Sequence, residues 1–197
     1  MSVSQHFDNV YSRICVDIRN SRIRSKNKIA PLKIIFVTSR GTMNCNPRFI
    51  AEEILKQHLP WDLVWVCRKE NMRNSENYPK NLRLVKRDSI KFHEEISSAH
   101  ILIDNSINLV YMGFKKKKGQ ILIETWHGSL GLKRFETSND KTWIKNAQIS
   151  GNYTDYFITN SVFEQDICKN SFWKNSEFLM LGHARNDILF DTKTETC

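Results

Sequence analysis

The sequence predicts an α/β domain built on a parallel sheet, a Rossmann-like arrangement, and three observations carry that reading. Short, continuously apolar runs recur along the chain, such as Ile34-Ile35-Phe36-Val37 and Ile101-Leu102-Ile103. Amphipathic stretches with three- and four-residue spacing separate them, as expected of helices. Small polar loops follow several of the apolar runs. A run with no polar alternation suits a strand covered on both faces, the environment of a parallel sheet between helix layers.

Taken in order, the first segment stands apart. Val3, Phe7, Val10, Tyr11, Ile14 and Ile18 share one helical face, and Arg13, Arg19, Arg22, Arg24, Lys26 and Lys28 follow among and behind them. This is a basic amphipathic helix with a linker, over residues 1–30. It can pack on the domain or lie on an anionic membrane surface. From Pro31 the pattern changes. Strands are expected at residues 33–38, 62–67, 82–86, 101–104, 120–124, 155–159 and 178–181. Helices are expected at 47–58, 89–99, 141–149 and 162–172. Asn46 before Pro47 reads as a helix start, with the Asn side chain as cap. Asp88 or Ser89 can open the next helix. The domain then spans 31–190, and 191–197 form a tail or the start of a linker.

Composition narrows the partners. The 197 residues carry 30 Lys and Arg against 21 Asp and Glu, a formal charge of +9, which favours an anionic partner. The basic residues are spread along the chain, and no RRM, KH or helix-turn-helix pattern is present. Nucleic acid is therefore not expected, although a basic α/β nucleic-acid module remains a rival reading. The five cysteines are scattered singly, and neither Cys nor His residues come in ligand pairs, so no metal and no cofactor are expected. With no apolar run of about 18 residues and no leader pattern, the expected setting is cytoplasmic.

In an open parallel sheet, ligands gather beyond the carboxyl ends of the strands. After the first strand comes Ser39-Arg40-Gly41-Thr42-Met43-Asn44-Cys45-Asn46, a small polar loop opening on a helix N-terminus and thus a candidate anion site, with Arg40, Gly41 and Asn46 as binding residues. It lacks a nucleotide-binding glycine pattern. After the fifth strand come Trp126, His127, Gly128, Ser129, Lys133 and Arg134. A histidine in a turn after a buried strand is placed to meet a ligand and to move a proton near neutral pH, while Lys133 and Arg134 can hold a phosphate. Spacing alone favours a structural or merely exposed histidine over a catalytic one. After the last strand, Arg185 can grip a phosphate, or it can pair with Asp187 to fix a hinge.

Several of these segments resemble one family. Glu124–Arg134, ETWHGSLGLKR, is similar to the Trp-His-Gly signature of the CDP-glycerol glycerophosphotransferases. GHARNDIL resembles their Gly-x-Pro-Arg-Asn-Asp-x-Leu, NPRFIAEEIL their Asn-Pro segment, and DLVWVCRK the strand that follows it. YFITNSVFEQDICKNSFW is similar to the helix before the Arg-Asn-Asp motif. The matches run in order over residues 33–189. Two departures stand out: Ala184 replaces a proline, and Ser129-Leu130-Gly131 stands where many members have Thr-Pro.

The resemblance implies the N-terminal, acceptor-side half of a GT-B architecture. The activity it implies is transfer of glycerol phosphate, or a related alditol phosphate, from a CDP-activated donor to a hydroxyl of a teichoic-acid-like or capsular polymer. His127 would be the general base, or a group orienting the attacked phosphate. Trp126, Gly128, Ser129, Arg185, Asn186 and Asp187 would bind substrate, with Arg40, Lys133 and Arg185 surrounding a phosphate. A lipid-linked acceptor and a peripheral position on the inner face of the membrane also follow from the resemblance. The chain stops at Cys197, just past the Arg-Asn-Asp motif, so the C-terminal donor domain is expected to be absent and the chain inactive by itself. A non-catalytic acceptor-binding half is the alternative.

Overall fold

The structure, a computed structural model, describes residues 3–128 and 140–190. It opens with helix α1 (Val3–Lys26) and strand β1 (Ala30–Val37). Then come α2 (Cys45–Lys56), β2 (Asp62–Cys67), a 3₁₀ segment (Asn71–Asn77), β3 (Arg83–Lys86), α3 (Ile90–Ser98) and β4 (Ala99–Asp104). The short α4 (Asn108–Tyr111) leads to β5 (Ile121–Glu124), α5 (Lys141–Tyr153), β6 (Tyr156–Thr159), α6 (Val162–Lys169), β7 (Glu177–Met180) and a closing 3₁₀ turn (Ala184–Phe190). All seven expected strands form, each within a few residues of its expected span.

The strands join one sheet in the order β3-β2-β1-β4-β5-β6-β7, and every pairing is parallel. Chain order reverses between β1 and β4, so the crevice at this sheet's switch point lies beyond Val37 and Asp104. Both faces are buried, as the unbroken apolar runs require. Ile35 and Val37 join Val64, Leu102 and the α3 residues Phe92 and Ile96 on one side. Ile34 and Phe36 join Leu63, Trp65 and the α2 residue Ala51 on the other. A third cluster of Ile107, Trp126, Ala147, Phe157, Cys168 and Trp173 fills the β5–β6 end.

Local signals place the helix starts, with one correction. Ser89 caps α3, its hydroxyl accepting the Phe92 N–H, and Ser161 caps α6 in the same way through Glu164. Asn46, expected as a cap, is not one. The chain enters α2 earlier, with Asn44 at the cap position and no side-chain cap bond, after which Cys45 takes a φ of 60°. That leaves Asn46 turned inward, 2% exposed. The N-terminal helix is tied to the domain at its C-terminal end, where Asn27 donates to Ser97 Oγ at 2.9 Å and Lys117 donates to the Asn27 carbonyl. Lys33 and Arg83 both donate to the buried Glu95 at 2.8 Å, joining α3 to β1 and β3. Among the described residues no helix is long and apolar enough to cross a membrane.

Candidate functional site

Loops from the ends of β1, β4, β5 and β7 converge at the carboxyl edge of the sheet. The β1 loop is a compact turn. Gly41 N–H donates to Thr38 O at 3.0 Å, and Thr38 Oγ1 donates to Thr42 O at 2.8 Å. Gly41 needs its missing side chain: φ is +65°, and a Cβ would lie 2.8 Å from the Arg68 backbone nitrogen. Arg40 is exposed at the tip of this turn, its carbonyl accepting from Asn71 Nδ2.

Asn105, just past β4, joins this loop to the histidine turn. Its Oδ1 accepts the Ser39 N–H at 3.2 Å, and its carbonyl accepts His127 Nδ1 at 2.8 Å. A carbonyl only accepts, so Nδ1 carries the ring proton. Nε2 then holds the lone pair in the neutral ring, and it has no partner among the described residues. His127 is exposed and stacks on Trp126, with ring centroids 4.6 Å apart. Trp126 itself is 6% exposed and packed into the third core cluster, so it supports the imidazole from below and has little surface left for a ligand.

The turn is held under strain. Trp126 has φ 50°, left-handed backbone that costs a residue with a Cβ about 1–2 kcal/mol. Its N–H donates to Glu124 Oε1 at 2.8 Å, and its carbonyl accepts Asn46 Nδ2 at 3.1 Å. Arg185 comes in from the last motif, with Nη1 donating to the His127 carbonyl at 2.8 Å. Among the described residues it forms no ion pair with Asp187, so the hinge reading does not hold. Asn186 is half-buried and Asp187 exposed on the same 3₁₀ turn, and Gly128 lies beside Arg185. Ser129 and Lys133 lie outside the described residues.

Beneath the turn are two buried carboxyls that the sequence reading did not single out. Asp104 and Glu124 end adjacent strands in register and are 2% and 0% exposed. Burial pushes Asp104 up to about 7, against the donors Leu109 N–H, Asn108 and Ser106. Burial also raises Glu124 well above the usual carboxylate range, the neighbouring Asp104 adds to this, and only the backbone N–H groups of Trp126 and Thr125 oppose it. Glu124 Oε2 has no partner among the described residues, so Glu124 is the member that keeps a proton.

The expected residues therefore divide. Arg40, Gly41, His127, Gly128 and Arg185 line the convergent loops. Asn46 and Trp126 work below the surface. Asn105 and Glu124, which hold the histidine turn, were missed by the sequence reading. A strand end carrying Asp104-Asn105 at the switch point was the available signal for the first of them.

Comparison with known proteins bears on the family and the fold. The chain is 23% identical over 206 residues to a teichoic acid poly(glycerol phosphate) polymerase from Staphylococcus epidermidis, covering 92% of this chain and 28% of that protein. Its likeness to the Bacillus subtilis protein of the same name is 24% over 172 residues, covering 82% and 22%. Among solved structures it is similar to the wall teichoic acid polymerase TagF, with a TM-score of 0.74 at 22% identity over 97% of this chain and 48% of that one. A TagF structure soaked with CDPG gives a TM-score of 0.74 at 21% identity, over 98% and 50%. The chain thus spans about a quarter of the curated relatives and about half of the solved chains, and it shares the α/β fold of the part of the GT-B-like TagF structures that it matches. Residues 20–197 match the family described as CDP-Glycerol:Poly(glycerophosphate) glycerophosphotransferase, and the chain belongs to that family.

Proposed function

We propose that this chain is the acceptor-side half of a glycerophosphotransferase. The reaction moves glycerol phosphate, or a related alditol phosphate, from a CDP-activated donor to a hydroxyl of a growing teichoic-acid-like or capsular polymer. The observation that carries the reading is the state of His127, an exposed imidazole whose Nδ1 is committed to Asn105 O and whose Nε2 is left as the basic atom. On this reading Nε2 takes the proton of the acceptor hydroxyl as its oxygen attacks the donor phosphorus. A phosphodiester bond forms, the bond to CMP breaks, and CMP leaves. Arg40 and Arg185, with Lys133, supply positive charge for the phosphate, and Ser129, Gly128, Asn186 and Asp187 shape the approach. The CDP portion sits mainly on a donor-side domain.

The acceptor is lipid-linked on this proposal, and the chain works at the cytoplasmic face of the membrane. The exposed Tyr11, Ile14 and Ile18 on α1, among Arg19, Arg22 and Lys26, support that placement. The test is CMP release from CDP-glycerol with a lipid-linked acceptor, using a polypeptide that joins this chain to a donor-side domain. Release coupled to acceptor elongation is expected. Acceptor binding without CMP release would instead favour a non-catalytic, acceptor-holding half.

A further inference from the structure

The amide of Asn46 can sit only one way round. Nδ2 faces three acceptors: Thr125 O at 2.9 Å, Trp126 O at 3.1 Å and His183 Nδ1 at 3.3 Å. Oδ1 faces the Arg185 N–H at 3.2 Å. Turning the amide over would set an oxygen against two carbonyls and an NH₂ against an N–H. The amide has two hydrogens for these three acceptors, so His183 Nδ1 shares one of them, and an Nδ1–H would point straight at the NH₂; Nδ1 therefore carries no proton.

The other side of the ring agrees. His183 Nε2 lies 3.2 Å from Glu164 Oε1, and Glu164 Oε2 accepts the Asn160 N–H at 2.8 Å. A carboxylate receiving donors at both oxygens requires Nε2–H. Two independent neighbours thus select the same neutral tautomer. Asn46, His183 and Glu164 are 2%, 3% and 1% exposed, so no water is at hand to satisfy a mismatched donor or acceptor.

We propose that Glu164, His183 and Asn46 form a positioning relay that locks the His127 turn and the Arg185 segment in one mutual arrangement. Glu164 sets the His183 tautomer, and the ring then holds the Asn46 amide. Asn46 clamps the carbonyls of the two residues before His127 while receiving the N–H of Arg185. Glu124 holds the N–H of Trp126 and Asn46 its carbonyl, so the left-handed Trp126 is tied on both sides. This is what sends His127 toward Asn105. The proposal rests on the reading of His127 as the base, but none of the three relay residues needs to touch substrate.

The experiment uses this chain, labelled with ¹⁵N-histidine, and long-range ¹H–¹⁵N correlations that report which ring nitrogen is protonated. In the unaltered chain His183 is expected as the Nε2–H tautomer and His127 as Nδ1–H. Asn46→Ala and His183→Leu should each abolish the Nδ1–H signature of His127 while circular dichroism shows a folded domain. His183→Asn, whose amide oxygen replaces Nδ1 as acceptor, should retain it. Nδ1–H at His183 in the unaltered chain would overturn the proposal, and so would an unchanged His127 signature in either folded variant. Should those two variants not fold, the His183 tautomer and the His183→Asn spectrum decide. No readout involves turnover, so failure of the relay and failure of the glycerophosphotransferase reading are separate results.

Discussion

Arg185 Nη1 donates to the backbone carbonyl of His127 at 2.8 Å, joining two motifs that are 58 residues apart in the chain. The contact places a guanidinium, permanently charged, next to an imidazole whose outward nitrogen is the basic one. It also brings the two motifs side by side at the carboxyl edge of the sheet.

The sharpest consequence concerns His127. In a polypeptide that includes the donor-side domain, His127→Ala should lower turnover by about 10²-fold or more, the range for losing a general base. An exposed side chain contributes little to folding, so stability should change by no more than about 0.5 kcal/mol. CMP release and a melting curve on the same protein check both halves. Near-normal turnover, or a large loss of stability, would make this histidine structural.

The β1 loop supplies a stability prediction. Gly41→Ala would put a Cβ 2.8 Å from the Arg68 nitrogen on backbone with φ +65°. The expected loss is about 1–3 kcal/mol, and each kcal/mol lowers the melting temperature by about 2–4 °C in a chain of this size. A variant melting with the parent would show that the loop is free to move away from Arg68.

The buried carboxyls predict how stability varies with pH. Glu124 is raised well above its ordinary value, chiefly by burial, so the folded chain keeps a proton that the unfolded chain has already released. Its contribution is largest below the unfolded value and shrinks as pH rises toward the folded one. Glu124→Gln mimics the protonated acid and keeps an acceptor for the Trp126 N–H. Its melting temperature should match the parent near pH 5 and exceed it by about 3 °C or more near pH 8. Glu95 works in the opposite sense at lower pH. Burial alone would raise it, yet Arg83 and Lys33 bring it down to about 2, so its stabilisation is lost as pH falls from about 4.5 toward 2. A Glu124→Gln profile parallel to that of the parent would contradict the assignment.

The N-terminal helix predicts lipid binding. The chain should bind vesicles containing anionic lipid and release them at high salt, because its Arg and Lys residues act through screened charge. Removing residues 1–28 should abolish binding and leave the sheet folded, by co-sedimentation and circular dichroism. Equal binding by the shortened chain would place the lipid contact elsewhere.

Much of this molecule was legible from local pattern alone. A strand buried on both faces must be apolar throughout, and a helix on a sheet must repeat every three to four residues. The seven strands, the class of fold and the position of His127 just after β5 therefore followed from the sequence by itself. What the tertiary structure decided was everything that depends on strand order and register. Only after β1, β4 and β5 lie side by side does Asn105 meet His127, and only after β7 closes the edge does Arg185 reach it. Asn46 shows the limit most plainly. Read locally before Pro47, it is a helix cap. In the folded chain Asn44 takes the cap position, and the buried amide instead finds partners at Thr125, Trp126, His183 and Arg185, none of them nearer than 79 residues along the chain. A buried amide must satisfy its donors and acceptor wherever the fold brings partners, and no short-range periodicity encodes which partners those are.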